Sequence, residues 1–238
     1  MSGVGEFWVY LQARPLLWLV LTLGAYSLAF ALFRLGRGNP LLNPVAIAVA
    51  LIVAILAATG TSYQTYFEGA QFVHFLLGPA TVALALPLWR NLATVRRMLV
   101  PMAAALLAGC VTAILSAVAI AWALGASSAT IASLAPKSVT TPIAMAVSER
   151  LGGLPSLTAA LVILTGIVGA MTVTPVLNVL KITDWRARGF AAGLAAHGIG
   201  TARAFQVNQM AGTFAGIAMG LNGLVTALLA PLLLGWLR

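Results

Sequence analysis

A lysine and four hydroxyl side chains are crowded into Ser133-Leu-Ala-Pro-Lys-Ser-Val-Thr-Thr-Pro142, deep in a sequence that is otherwise almost entirely apolar. Lys137 carries a fixed positive charge, and Ser138, Thr140 and Thr141 offer hydrogen bonds beside it. With the N–H groups of a helix start, such a set can hold a small anion. The alternative is a loop at the membrane surface, Lys137 reaching water along its own stem. Ionisable residues inside membrane segments are rare and mark pathways, which favours the binding reading. A second set, His197-Gly-Ile-Gly-Thr-Ala-Arg203, adds an imidazole, a hydroxyl and a guanidinium. His197 and Thr201 share a face if the helix survives Gly198 and Gly200. Arg203, near the edge of that face, is suited to a carboxylate through two parallel hydrogen bonds. The competing reading makes Arg203 an interfacial anchor and His197 a bond between helices.

The elements that must position these residues are apolar helices with interruptions. Pro136 lacks an N–H and clashes with the preceding turn, so a helix through Thr130–Leu134 should loosen near Ala135. Thr141-Pro142 reads as a new start, threonine at the N-cap and proline at the first helical position, the helix running Ile143–Glu149 and stopping at Gly152-Gly153. Full spans are expected over Leu16–Phe33, from Pro44 to Thr59-Gly60, over Leu99–Leu124, Leu154–Leu180 and Phe214–Leu237. Gly60–Gly69, with Tyr63, Tyr66 and Glu68, reads as interfacial. Gln71–Trp89 is apolar but broken at Gly78-Pro79, and Phe190–Gln206 carries the histidine-glycine interruption. In the latter, Gly198 and Gly200 are expected to open the helix, so that the interruptions surround a common cavity.

Composition sets the class. Of 238 residues 61% are hydrophobic and 7% charged, and the mean hydropathy is +1.03. The expectation is an all-α polytopic membrane protein, a single domain over 1–238, with roughly seven or eight membrane segments. Two or three of these are broken or re-entrant. The net charge of +9 does not indicate nucleic-acid binding, because the basic residues sit at the ends of apolar runs, where they set topology. Cys110, the single cysteine, excludes an intrachain disulfide and reads as packing. The first apolar run is read as a retained helix and not a signal peptide, since residues 1–15 lack a basic leader and cleavage site.

Leu77-Gly-Pro-Ala-Thr-Val82 matches Leu134-Ala-Pro-Lys-Ser-Val139 at an offset of 57 positions, which also carries Gly109 onto Gly166. Two copies, about 71–124 and 128–181, each join a broken segment to one full span. Paired interruptions of this kind point to a transporter's midplane site, and they place Thr81 opposite Ser138. If both broken segments re-enter, the second copy is inverted; if only the first crosses fully, the basic residues divide more steeply between the two sides. Repeat symmetry favours the first arrangement and charge the second.

No metal cluster, Walker loop or dinucleotide fingerprint is present in the sequence. Lys137 beside Ser138 does not make a serine–lysine hydrolase, because adjacent residues on extended backbone diverge and no oxyanion motif accompanies them. Neither catalysis nor a cofactor is expected.

The blocks Ser133-Leu-Ala-Pro-Lys-Ser-Val-Thr-Thr-Pro-Ile-Ala144, Leu164-Thr-Gly-Ile-Val-Gly-Ala170, His197-Gly-Ile-Gly-Thr-Ala-Arg-Ala204 and Leu77-Gly-Pro-Ala-Thr-Val-Ala-Leu-Ala85 resemble the signature blocks of the LrgB/CidB family. The resemblance covers nearly the whole chain. It implies a multi-pass protein of the bacterial inner membrane, paired with a small holin-like protein of the LrgA/CidA type. Family members are named antiholin-like and linked to murein hydrolase export and lysis; others are tied to pyruvate uptake or, in plastids, to glycolate/glycerate translocation. Where acidic residues are expected after the glycine-threonine-alanine-arginine block, this chain has Gln206, Asn208 and Gln209, so proton coupling through an acid there is not implied. The resulting expectation is secondary transport of a small monocarboxylate such as glycolate, glycerate, lactate or pyruvate. Its ligands would be Lys137, Ser138, Thr140, Thr141, Thr81, His197, Thr201 and Arg203. The alternative is an antiholin-like scaffold acting on a holin-like partner. Small-residue faces on Leu99–Leu124 and Phe214–Leu237 add the expectation of a homo-oligomer, a dimer, though the same faces suit packing within one chain.

Overall fold

Asparagine, proline and glycine set both ends of the helix Pro44–Thr59. Asn43 accepts hydrogen bonds from the N–H groups of Val45 and Ala46, Pro44 opens the helix, and Gly60 closes it in the left-handed conformation at φ 64°. These are the expected roles of an N-cap, an N1 proline and a C-terminal glycine. The computed structural model describes residues 15–76, 79, 82–83 and 85–235, and all the elements among them are helical. The chain divides into two compact units, Met1–Ala85 and Leu86–Arg238.

The first unit holds α1 (Pro15–Leu35), α2 (Pro44–Thr59) and α3 (Tyr63–Phe75). The tyrosine-rich stretch is the first half of α3, capped by Ser62, so that helix begins at Tyr63 and not at the expected Gln71. It docks on α1 because Gly69 has no Cβ: one placed there would lie 2.1 Å from the Pro15 carbonyl. Trp18, fully buried, meets Tyr66 edge-on at 5.9 Å. The expected break at Gly78-Pro79 falls at Gly78 outside the described residues, as does Thr81.

After the short helices α4 (Ala85–Arg90) and α5 (Leu92–Arg97), the second unit contains α6 (Leu99–Ala123), α7 (Ser128–Leu134), α8 (Thr141–Arg150), α9 (Pro155–Val179), α10 (Trp185–Val207) and α11 (Gln209–Gly235). Among the described residues four helices, α1, α6, α9 and α11, are long and apolar enough to cross a membrane. Leu164, Val168, Leu224 and Leu228 are more than half exposed along their outer faces, as hydrocarbon-facing surfaces should be. The chain is a polytopic membrane protein.

α6 and α9 run in opposite directions. Arg186, just beyond the end of α9, lies against Met98 at the start of α6. At the other end Cys110, Ile114 and Val118 of α6 pack with Ala132, Ala135, Val147 and Leu151. The first end is basic, carrying Arg96, Arg97, Lys181, Arg186 and Arg188.

Trp185–Val207 is not one helix. At Ala196 (φ −131°, ψ 21°) and His197 (φ 41°, ψ −131°) the backbone leaves helical geometry, and the chain turns back on itself. Its first arm lies parallel to α11, with Gly189 against Ala211 and Gly193 against Ala215. Its second arm is antiparallel to α11, with Phe205 against Gly212 and Thr201 against Met219. Between the arms, a Cβ on Gly200 would sit 2.3 Å from the Ala192 carbonyl. Each arm has about ten or eleven residues, or ~16 Å at 1.5 Å per residue, half of a ~30 Å hydrocarbon layer. The tip abuts Gly166 and Gly169 near the middle of α9. α10 is therefore a re-entrant hairpin entering from the basic end.

The bend falls on Ala196 and His197, one step before the glycines expected to cause it. Gly198 continues as helix, and Gly200 serves the close approach of the two arms. A non-glycine residue at positive φ is a strained conformation held by its surroundings.

The interruption after α7 enters from the opposite end. α7 follows the end of α6, α8 leads into the start of α9, and the residues between them reach Asn222, near the middle of α11. The N-cap of α8 is Thr140, not Thr141, and its side chain makes no capping bond. A buried hydroxyl set ties the outer ends together: Ser133 Oγ donates to the Ala129 carbonyl and accepts from Leu154 N–H, and Thr158 Oγ1 lies 2.7 Å from Ser148 Oγ.

Tight docking of the hairpin on α11 is testable. Gly193→Ala places a methyl group against the Ala215 carbonyl, where an ideal Cβ would lie at 2.0 Å. The expected cost is about 1–3 kcal/mol of overpacking, read as a lower thermal midpoint in detergent. Gly220→Ala, with nothing within 4 Å, should leave the midpoint unchanged. Equal midpoints for the two variants would contradict the docking.

Candidate functional site

Two interrupted segments, one from each end, converge at mid-depth. The outer one presents Pro136-Lys-Ser-Val-Thr140 between α7 and α8. Pro136 ends the regular ladder, leaving single-turn bonds such as Lys137 N–H to the Leu134 carbonyl (3.1 Å) and Val139 N–H to the Pro136 carbonyl (3.2 Å). Lys137 Nζ donates to Ser138 Oγ at 3.3 Å. Ser138 is buried, while Lys137, Thr140 and Thr141 are partly accessible. Beside them Val139 is fully buried with Ala144 and Val162, which anchors the turn to α9.

The inner segment presents the Ala196-His197 tip. His197 Nε2 lies 2.9 Å from the Val162 carbonyl. A carbonyl only accepts, so Nε2 carries the proton and, in the neutral ring, Nδ1 is the acceptor. Gly166 makes the seat: a Cβ there would lie 2.6 Å from the imidazole Cε1. Gly109, at the matching position of the sequence repeat, meets Leu194 of the first arm at 2.8 Å. Val162 thus joins the two interruptions, packing against Val139 through its side chain and holding His197 through its backbone.

Asn222, 1% exposed, is the second link. Its Nδ2 donates to the Ser138 carbonyl (3.2 Å) and the Leu194 carbonyl (3.0 Å). Its Oδ1 accepts from Thr226 Oγ1 at 3.2 Å, and Thr226 Oγ1 lies 3.2 Å from Cys110 Sγ. Cys110, expected to be packing, is buried as expected, with this polar contact in addition.

The other candidates separate. Thr201 donates to its own helix, at the His197 carbonyl (2.8 Å), so its hydroxyl is used locally. Arg203 lies on the second arm, below the tip. It lines a narrow cavity with Arg188, Trp185 and Thr174, between α9, both arms and the start of α11. Arg188 donates to the Ile182 carbonyl and to Asn178 Oδ1, and stands over the Trp185 ring at 5.2 Å. Asp184 is committed elsewhere: it caps the first arm and pairs with Arg186, whose hydrogen bond holds its carboxyl down at about 2. Among the described residues, those lining this cavity include two arginines and no carboxylate.

Lys137, Ser138, Thr140 and Thr141 lie on and beside the turn whose Val139 packs on Val162, the residue whose carbonyl meets His197, whereas Arg203 faces a separate cavity nearer the basic end. Among the described residues no group of histidines, cysteines and acids is placed to hold a metal. Sequence reasoning passed over Arg188 and the hydroxyls of Ser148 and Thr158. The partners of Asn222 are backbone carbonyls of the two interrupted segments, which no local pattern in the sequence announces. The spacing Gly166-Ile-Val-Gly169 was the available signal for the seat under His197.

Comparison with known proteins gives the lineage. The model of the LrgB-like family matches residues 22–236. The chain is 36% identical to "Uncharacterized protein YwbG" of Bacillus subtilis (strain 168), over 82% of this chain and 87% of the relative. It is 32% identical to "Holin-like protein CidB" of Staphylococcus epidermidis (strain ATCC 12228 / FDA PCI 1200), over 82% and 86%. It is 28% identical to "Antiholin-like protein LrgB" of Bacillus cereus (strain B4264), over 92% and 95%. No solved structure matches the chain. With the family model matching from within α1 to the end of α11, the chain belongs to the LrgB-like family.

Proposed function

We propose that the chain is a secondary transporter of small monocarboxylates of the glycolate, glycerate, lactate or pyruvate class. The observation that carries this reading is the meeting, at mid-depth, of two segments entering from opposite ends, one bearing Lys137 beside a helix start. Irregular backbone at membrane depth is tolerated only where protein buries it or where it lines a watery cavity. In transporters such paired interruptions hold the substrate. Lys137 attracts the carboxylate; Ser138, Thr140 and Thr141 orient it. His197 Nδ1 accepts a substrate hydroxyl or takes up a proton, its unperturbed pKa being about 6.5. Thr201 steadies the histidine tip through its bond to the His197 carbonyl. Arg203, with Arg188, forms an earlier station for the anion on the basic side. The positive-inside rule makes that side cytoplasmic, in a bacterial inner membrane.

The relatives' names favour a second reading. Relatives are called holin-like and antiholin-like, which fits a membrane scaffold that modulates a small holin-like partner of the LrgA/CidA type, and with it murein hydrolase export and lysis. The scaffold reading requires partner binding but no flux. Either reading accommodates a homodimer, enlarged by the small partner. Light scattering on the detergent-solubilised protein should then give at least twice the 24.6 kDa of one chain, and a single-chain mass would remove the dimer.

Uptake of radiolabelled glycolate and pyruvate into proteoliposomes, with counter-substrate inside, separates the two functions. Flux above empty liposomes supports transport; flux equal to empty liposomes, with the small partner also supplied, rejects it. Lys137→Met keeps bulk and removes the charge. Loss of a charge-assisted hydrogen bond predicts a KM raised on the order of tenfold or more, with assembly intact.

His197→Gln retains hydrogen bonding without titration and should flatten the pH profile of uptake. Arg203→Lys keeps the charge but loses the planar fork, so affinity should fall if the cavity holds the carboxylate with two bonds. Unchanged affinity and pH profile in both variants would confine the site to the Lys137 turn.

A further inference from the structure

We propose that Asn222 is a positioning residue that ties the tips of the two opposed re-entrant segments together, so that neither opens to its side of the membrane while the amide is engaged. The consequence for flux rests on the transport reading; the tie itself does not.

Both interruptions leave a backbone carbonyl in need of a donor. In a continuous helix the Ser138 carbonyl would accept from residue 142, but Pro142 has no N–H. The Leu194 carbonyl would accept from Gly198, which lies beyond the bend at Ala196 and His197. Inside a membrane bundle a carbonyl without a donor is costly, and water is not at hand to replace one. The two hydrogens of Asn222 Nδ2 go one to each of these carbonyls, at 3.2 and 3.0 Å. Thr226 donates to Oδ1 from one turn further along α11 and fixes which end of the amide faces the tips. Residue 222 is 1% exposed and has no charged group among its hydrogen-bond partners.

Only a side-chain amide fits this arrangement. Aspartate has nearly the same shape but offers acceptors where two carbonyls demand donors; leucine offers nothing. Freeing either tip therefore breaks one of two bonds made by a single nitrogen, and the remaining bond leaves the amide free to follow the other tip. In this way one side chain on an uninterrupted span opposes simultaneous opening from both sides.

The test uses cysteine accessibility. Cys110 is the single cysteine, and Cys110→Ser, which keeps a hydroxyl for Thr226, gives a parent without thiols. Val139→Cys reports on the outer tip and Gly198→Cys on the inner one, where a Cβ meets only Met219 Sδ, at 3.8 Å. In proteoliposomes of the full chain, each reporter is labelled with a membrane-impermeant maleimide. Asn222→Asp should raise the labelling rate at both tips by about tenfold, the order expected for loss of a buried hydrogen bond. Asn222→Gln, which retains the amide, should recover part of the protection. In uptake assays Asn222→Asp should lower turnover with KM unchanged.

Unchanged labelling at both tips in a normally assembled Asn222→Asp protein overturns the proposal, as does a change at one tip alone. If Asn222→Asp does not assemble, Thr226→Val carries the same test, since it removes the bond that orients the amide. Should labelling respond while the parent transports none of the acids tried, the substrate assignment fails and the tie stands.

Discussion

A peptide group inside a membrane has to find its hydrogen bonds within the protein, and the second unit of this chain is arranged around that requirement. Continuous helices meet it by themselves. Two segments here do not, and everything packed around them supplies what they lack. Asn222 on α11 serves the interrupted backbone with its side-chain amide, and the Val162 carbonyl on α9 holds the His197 ring at the inner tip. The small residues have a related purpose. Gly109, Gly166 and Gly169 bring the spans close enough to the inner tip to enclose it. Gly189 and Gly193 do the same for the arm that carries it.

This accounts for how α11 spends its small residues. Ala215 and Ala218 are fully buried inside the chain, against the hairpin, where a stripe of alanine and glycine lets backbones approach. α6 and α9 oppose each other in direction, as two inverted copies of one span would. Gly109 of α6 faces Leu194 on the first arm of the hairpin, and Gly166 of α9 faces His197 at its tip and Ile199 on the second arm.

Much of this was legible in the residues. Asn43-Pro44 and Gly60 marked both ends of α2, and the spans over Leu99–Ala123 and Pro155–Val179 fell within a residue of their expected limits. Pro136 announced its interruption because a missing N–H is a local property. The hairpin was not legible in the same way. Its bend is imposed on Ala196 and His197, neither of which prefers it, by contacts with α9 and α11 distant in sequence. Gly200 looked like a breaker, yet its role is spatial, facing Ala192 of the opposite arm. Arg203 was grouped with His197 on sequence proximity, and a chain that folds back at residue 197 carries it away from the tip. The role of Asn222 was hidden for a comparable reason: its partners lie 84 and 28 residues away.

The folded-back hairpin also constrains how the protein is made. Neither arm is long enough to cross a bilayer, and the pair carries Arg188 and Arg203, so it has little affinity for lipid before its seat exists. Its seat is built partly by α9, which precedes it, and partly by α11, which leaves the ribosome after it. The seat of the hairpin is therefore complete only once the last span has been made. An element made before its partner cannot finish burying itself until that partner arrives, so the order of synthesis and the order of burial differ.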